Sequence, residues 1–123
     1  MQYRTSYIRG LIRMQEKSTA TLRRRRKMLL RQLPPLDAVL RGSLIERYKR
    51  CGKPTCKCAQ SPGHGPKYYL SVSRSNERPE MDYVPQAEHA HVLQFLGNYR
   101  HIREILEELC AINRELLRRR EAF

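Results

Sequence analysis

Three cysteines and a histidine, Cys51, Cys56, Cys58 and His64, fall within fourteen residues of this chain. Gly52, Pro54, Gly63, Gly65 and Pro66 punctuate the same stretch, so tight turns hold the four donors. Thiolate and imidazole are what tetrahedral zinc takes, and three Cys with one His is an established structural set. Four protein ligands close the shell and leave no position for water, so the expected Zn2+ is structural and helps hold a small sheet together. The spacing Cys-x4-Cys-x-Cys-x5-His departs from paired Cys-x2-Cys knuckles, and a reduced loop with incidental thiols is the alternative. A redox dithiol at Cys56 and Cys58 is weaker still. Lys53 and Lys57 would lower thiolate pKa values, but no Cys-x2-Cys opens a helix and no strand–helix alternation accompanies it.

The cluster sits at the edge of a strong charge asymmetry. Met1 to Cys58 holds sixteen Lys or Arg against three acids, Glu16, Asp37 and Glu46, whereas Ala59 to Phe123 holds nine of each. The whole net charge of +13 therefore belongs to one end. Charge so concentrated repels itself in a compact state and calls for a polyanionic partner, of which nucleic acid is the most economical.

Two groups of residues are candidates for that contact. The first is Arg23, Arg24, Arg25, Arg26 and Lys27, with Arg31 one turn on and no acid between Lys17 and Asp37. Five consecutive residues turn through about 500° of helix, so the charge wraps the helix and at least one face meets solvent or phosphate. Such contact is counterion release, strong at low salt and blind to sequence; the bland reading is a solvated face. The second group is Arg41, Arg47, Lys49, Arg50, Lys53 and Lys57, which with Lys67 surround strands bearing Tyr48, Tyr68, Tyr69 and Tyr83. Aromatics among basic residues suit a β-ribbon in a DNA groove or a platform for unpaired bases. Alternation puts Arg47 and Lys49 on one face and Tyr48 on the other, which predicts a basic outer side and a Tyr-lined side packed on the C-terminal helix.

Tyr3 to Leu33 reads as a basic helix, with Tyr7, Leu11, Ser18, Leu22 and Leu29 at helical spacing and Pro34-Pro35 as its stop. Ser43 to Cys51 reads as a strand. Lys67–Ser73 and Met81–Val84 read as a hairpin, turned by the residues between Arg74 and Pro79. Gln86 to Arg120 reads as a long helix behind Pro85. Its heptad-like seam runs Val92, Phe95, Tyr99, Ile102, Leu106, Leu109, Asn113, Leu116, flanked by Ile105, Cys110, Ile112 and Leu117. A helix of that length spans ~50 Å and overshoots a three-stranded sheet, which favours a homodimer with Asn113 setting register. The expected class is α+β: a basic N-terminal helical arm over 1–33, a small three-stranded antiparallel β domain with a Cys/His loop over 34–85, and a C-terminal packing and dimerisation helix over 86–123.

No Ser/His/Asp set, paired-acid site or phosphate-cradling Gly loop occurs, so no enzyme is expected. His89, His91 and His101 are expected at the surface. No stretch approaches the ~20 apolar residues of a membrane span, and the N-terminus lacks a secretion signal. A cytoplasmic protein, nucleoid-associated or within a nucleoprotein complex, is expected.

The run from Leu33-Pro-Pro-Leu-Asp through Cys51-Gly-Lys-Pro-Thr-Cys56-Lys-Cys58, then His64-Gly-Pro, Tyr69-Leu70 and Tyr83-Val-Pro85, resembles a family of small, uncharacterised basic proteins of bacteria and archaea often met near insertion elements. The resemblance covers roughly Leu33 to Arg120, with Thr55 where the family has Gly, and leaves the basic arm outside. It implies a mobile-element context and carries no settled activity. The order strand, hairpin, helix is also similar to the sheet-plus-helix arm-binding modules of tyrosine recombinases, which lay the sheet in the DNA major groove.

Together these features predict a non-catalytic nucleic-acid-binding protein, an accessory factor of a mobile element or ribonucleoprotein. A symmetric dimer favours duplex DNA, and exposed Tyr faces favour unpaired RNA or single-stranded DNA; DNA stands slightly ahead. One alternative is an RNA-binding subunit of a nucleoprotein complex. Another is an adaptor whose long helix docks on a transposase, nuclease or other effector.

Overall fold

The computed structural model describes residues 14–49, 52, 53, 55 and 64–123. The order is α1 (Thr19–Arg31), β1 (Ser43–Lys49), β2 (His64–Val72), β3 (Glu80–Val84), a 3-10 turn (Gln86–Glu88) and α2 (His89–Arg118). This is the expected α+β class, with a three-stranded antiparallel sheet in the order β1-β2-β3 and a long C-terminal helix.

The N-terminal helix differs from expectation. Residues 14–16 are helical, and the chain then breaks at Lys17 and Ser18 before α1 begins. Ser18 is extended, with φ −66° and ψ 155°, and its Oγ accepts the Thr21 N–H at 3.1 Å. A hydroxyl that satisfies an orphan N–H makes an N-cap, so Ser18 starts a helix where the apolar spacing suggested continuation. Tyr7 and Leu11 lie outside the described residues. At the far end the Gln32 N–H reaches Met28 O and Leu29 O, and Pro34 stops the helix.

The chain divides into two compact units. One comprises the described part of Met1–Leu36 with Arg100–Phe123. Its core joins Met14, Leu22 and Leu29 to Ile105, Ala111, Ile112 and Leu116. α1 and the second half of α2 run antiparallel: Thr19 Oγ1 accepts from Arg119 and Arg26 donates to Asn113. The buried stripe of α2 is Ile102, Ile105, Ile112 and Leu116, with Leu109 packed against the core. Leu106 and Leu117 are about half exposed, at 50% and 54%. The expected seam therefore holds at Ile102, Leu109 and Leu116, while the flanking Ile105 and Ile112 are buried in place of Leu106 and Asn113. Glu115 is buried, and Arg119 satisfies it at 3.1 Å while also donating to Met14 O at 2.9 Å.

The other unit is Asp37–Tyr99. Leu70, Val84 and Leu96 are buried together, with Leu44, Tyr68, Val72 and Val92 packed on them. The sheet thus lays one face on the first half of α2, as an antiparallel sheet with one covered side does. The preceding loop docks on the same helix, through Leu40 N–H to Phe95 O at 3.2 Å and Asn98 Nδ2 to Ala38 O at 2.9 Å. Gly42 opens β1 at φ 140°, where an added Cβ would lie 2.6 Å from Ser71 O, so only glycine allows this approach. Pro66 falls at the register shift between Arg47↔Lys67 and Lys49↔His64, beyond the last β2–β3 pair, Tyr68↔Val84. Its missing N–H is tolerated at such an irregularity even though β2 is the central strand.

Candidate nucleic-acid interface

The register settles which strand residues share a face. Arg47 pairs directly with Lys67, Ile45 with Tyr69, and Tyr69 in turn with Tyr83. Side chains alternate along strands, so Ile45, Arg47, Lys67, Tyr69 and Tyr83 stand on the face opposite Leu44, Leu70 and Val84. The strand acids, Glu46, Glu80 and Asp82, have the other parity, in register with Tyr68, Val72 and Leu70. Positive and negative charge on the sheet are therefore segregated by face.

The outer face is aromatic as well as basic. Tyr83 is 58% exposed, and its ring meets the half-buried Tyr69 edge-on with centroids 5.8 Å apart. The Arg47 guanidinium carbon lies 5.7 Å from the Tyr69 centroid, within cation–π reach. The expected division into a basic side and a Tyr-lined side is thus only half realised. Tyr68 does turn inward, against the His89 ring at 4.2 Å, but Tyr69 and Tyr83 share the basic face. Buried Leu70 sets that phase, and Tyr68 and Tyr69, being neighbours, must part to opposite faces. Lys67 belongs with Arg47 by register, which the ladder reveals and the bare sequence could not.

Other residues expected at the interface are placed as follows. Lys49 and Lys53 are exposed. Arg41 is exposed and donates twice to Ser73 O, at 3.3 and 3.4 Å, tying the entry of β1 to the end of β2. Arg50 and Lys57 lie outside the described residues.

The arginine run splits. Arg25 and Arg26 occupy the face between Leu22 and Leu29, the i+3 and i+4 positions of a buried stripe. Arg25 grips Glu108 through Nε at 2.6 Å and Nη2 at 3.0 Å, and Arg26 Nη1 donates to Asn113 Oδ1 at 2.8 Å. The Glu108 hydrogen bond, more than its charge, raises the Arg25 pKa against a smaller loss from burial. Arg23 donates to Ala122 O at 2.8 Å and stands 3.9 Å from Glu121. These three arginines are engaged within the helix pair. Arg24, Lys27 and Arg31, at i, i+3 and i+7, are exposed and form no ion pair among the described residues.

Cys51, Cys56 and Cys58 lie outside the described residues, and so does the side chain of His64. Among the described residues no group of three or more His, Cys, Asp or Glu gathers as a metal site. The backbone of His64 pairs with Lys49, two residues before Cys51. Cys110 is a free, exposed thiol on α2. His91 and His101 are exposed, with Glu88 and Glu104 at 3.2 and 3.8 Å. No described helix is long and apolar enough to cross a membrane.

No curated protein and no solved structure matches the chain. One family model does match, over residues 19–94, a span that begins with α1, takes in the arginine run, and includes all three strands and the Cys/His stretch. That span exceeds half of the 123 residues, and the chain belongs to the family described as a domain of unknown function (DUF6788).

Proposed function

We propose that this protein binds nucleic acid without catalysing a reaction on it, as an accessory factor of a mobile element or ribonucleoprotein in the cytoplasm. The observation that carries the reading is the direct cross-strand pairing of Arg47 with Lys67 on an exposed, acid-free sheet face. Like charges opposite one another cost stability in the free protein, and a bound polyanion turns that cost into attraction. Arg24, Lys27 and Arg31 supply a second basic surface, and Lys49 and Lys53 are further exposed cations.

A zinc ion held by Cys51, Cys56, Cys58 and His64 is part of the same reading. The donor set suits zinc, and the Lys49↔His64 ladder pair brings the fourth donor's backbone beside the strand that leads into the first. When bound, the ion would supply a structural cross-link and no reactive water. A second copy packed along α2, over Leu106 and Leu117, would complete the dimer expected from the helix length.

Binding to duplex DNA, structured RNA and single strands, measured over a series of salt concentrations, tests the function. Affinity is expected for at least one of them, falling steeply as salt rises. Absence of binding to all three in dilute buffer, with protein freed of carried-over nucleic acid, would refute it. Metal analysis of the same sample is expected to give one zinc per chain.

A further inference from the structure

We propose that the outer face of the sheet seats an unpaired nucleic-acid strand, with a base stacked on Tyr83 and the adjoining phosphates on Arg47 and Lys67. This rests on the nucleic-acid reading above and names the substrate class within it.

The pairing register builds the seat in rows. Ile45, Tyr69 and Tyr83 form one continuous row across all three strands. Arg47 and Lys67 form the next row toward one end, two residues along each strand and so about 6.6 Å away. An aromatic row beside a cationic row matches a strand whose bases and phosphates alternate on neighbouring tracks.

Duplex DNA would use only half of this surface. Its phosphates would meet Arg47 and Lys67, but its bases present edges, and no free base face would reach a tyrosine. The open ring is Tyr83, because Arg47 already covers Tyr69. Tyr83 lies on the edge strand β3 and is 58% exposed, so its edge-on contact with Tyr69 leaves much of its surface open. Stacking on a π-face is indifferent to base identity, so the seat favours single strands over duplex while discriminating weakly among sequences.

The experiment measures anisotropy of labelled oligothymidylate, oligouridylate, a hairpin duplex and base-free polyphosphate, with wild type, Tyr83→Ala, Tyr83→Phe and the double variant Arg47→Gln/Lys67→Gln. Thermal melts of each variant establish that it is folded. Tyr83→Ala is expected to weaken single-strand binding roughly five- to a hundredfold and to change duplex and polyphosphate binding less than about twofold. Tyr83→Phe keeps the stacking face and is expected to stay near wild type. The double variant is expected to weaken every polyanion and to lower the single-strand salt slope by about 1.4. The chain has no Trp and seven Tyr, so the part of the tyrosine quenching by oligothymidylate or oligouridylate that is lost in Tyr83→Ala reports the site; that quenching is expected to shrink in the variant. Preference for either oligonucleotide supports the seat, and the two arms separate DNA from RNA.

Unchanged single-strand affinity in folded Tyr83→Ala, or duplex bound better than both single strands, overturns this inference and leaves the broader function standing. Failure to bind any of the probes overturns both.

Discussion

Arg25 holds Glu108 in a two-pronged grip across 83 residues of sequence, with Nε and Nη2 each donating to its own carboxylate oxygen. Both side chains keep about a third of their surface, 39% and 31%, so solvent screens the pair. A double-mutant cycle on Arg25→Ala and Glu108→Ala, read by urea denaturation, is expected to give a coupling of about 0.5–1 kcal/mol, lower at high salt. A coupling of zero would mean that Arg25 is a solvated cation and that α1 has more of its charge free for a ligand.

The other face of α1 should behave in the opposite way. Replacing Arg24, Lys27 and Arg31 together by Gln removes three exposed cations without touching the core, so stability is expected to change by less than about 0.5 kcal/mol. Duplex affinity at low salt is expected to fall, and the slope of log K against log salt to drop by up to about 2.7 if all three meet phosphates. A slope equal to wild type would remove α1 from the interface.

Leu22 is expected to be the most sensitive position of α1. It is 1% exposed and packs against Ile112 and Leu116, both with no exposed surface, whereas Met28 on the same helix is 50% exposed. Leu22→Ala is expected to cost about 2–5 kcal/mol and Met28→Ala less than about 1 kcal/mol, measured by denaturant midpoints. Equal costs would show that the helix pair is not the core of its unit.

Much of the architecture was legible because it rests on local pattern. The Lys67–Ser73 and Met81–Val84 runs alternate as strands do, the turn between them is marked by Ser75-Asn76, and Asn76 does take the left-handed conformation at φ 60°. The break at Ser18 was hidden because serine occupied a plausible stripe position, and only its hydrogen bond to Thr21 reveals the cap. The fate of the arginines was not legible either. Glu108, Asn113 and the Ala122 carbonyl lie about ninety residues away, and no spacing rule links them to Arg25, Arg26 and Arg23. At the candidate interface the residue types were readable, but their division between faces depended on the phase set by Leu70 and on the register Arg47↔Lys67.

Tyr48 gives a pH test of the sheet. Its hydroxyl donates to Glu46 Oε1 at 2.6 Å, and chiefly this hydrogen bond, with smaller effects of burial, the Glu46 charge and Tyr68, raises the phenol above its ordinary 10.0. A raised folded-state value means that the stabilisation is fully present below the unfolded value of about 10 and is lost as pH rises through the folded one. Alkaline absorbance titration is expected to show a late-ionising phenol that disappears in Tyr48→Phe and moves down in Glu46→Ala. If Glu46→Ala leaves the titration curve unchanged, the Tyr48–Glu46 hydrogen bond does not persist in solution.

The C-terminus of α2 carries a strain that can be relieved. Glu121 N–H bonds Leu116 O at 3.0 Å and Arg120 N–H bonds Leu117 O at 3.0 Å, the paired bonds of a Schellman motif. The motif needs a left-handed residue, and Arg120 fills that place at φ 57°. A non-glycine residue there costs about 1–2 kcal/mol, while glycine adds back roughly half of the gain as unfolded-state entropy. Arg120→Gly is therefore expected to stabilise by about 0.5–1 kcal/mol and to raise Tm by about 3 °C. Arg120→Val, whose branched Cβ tolerates this conformation worst, is expected to lower Tm. Should the glycine variant melt at or below wild type, the helix frays in solution before reaching Arg120, and the Arg23 bond to Ala122 O just beyond it would be lost with that turn.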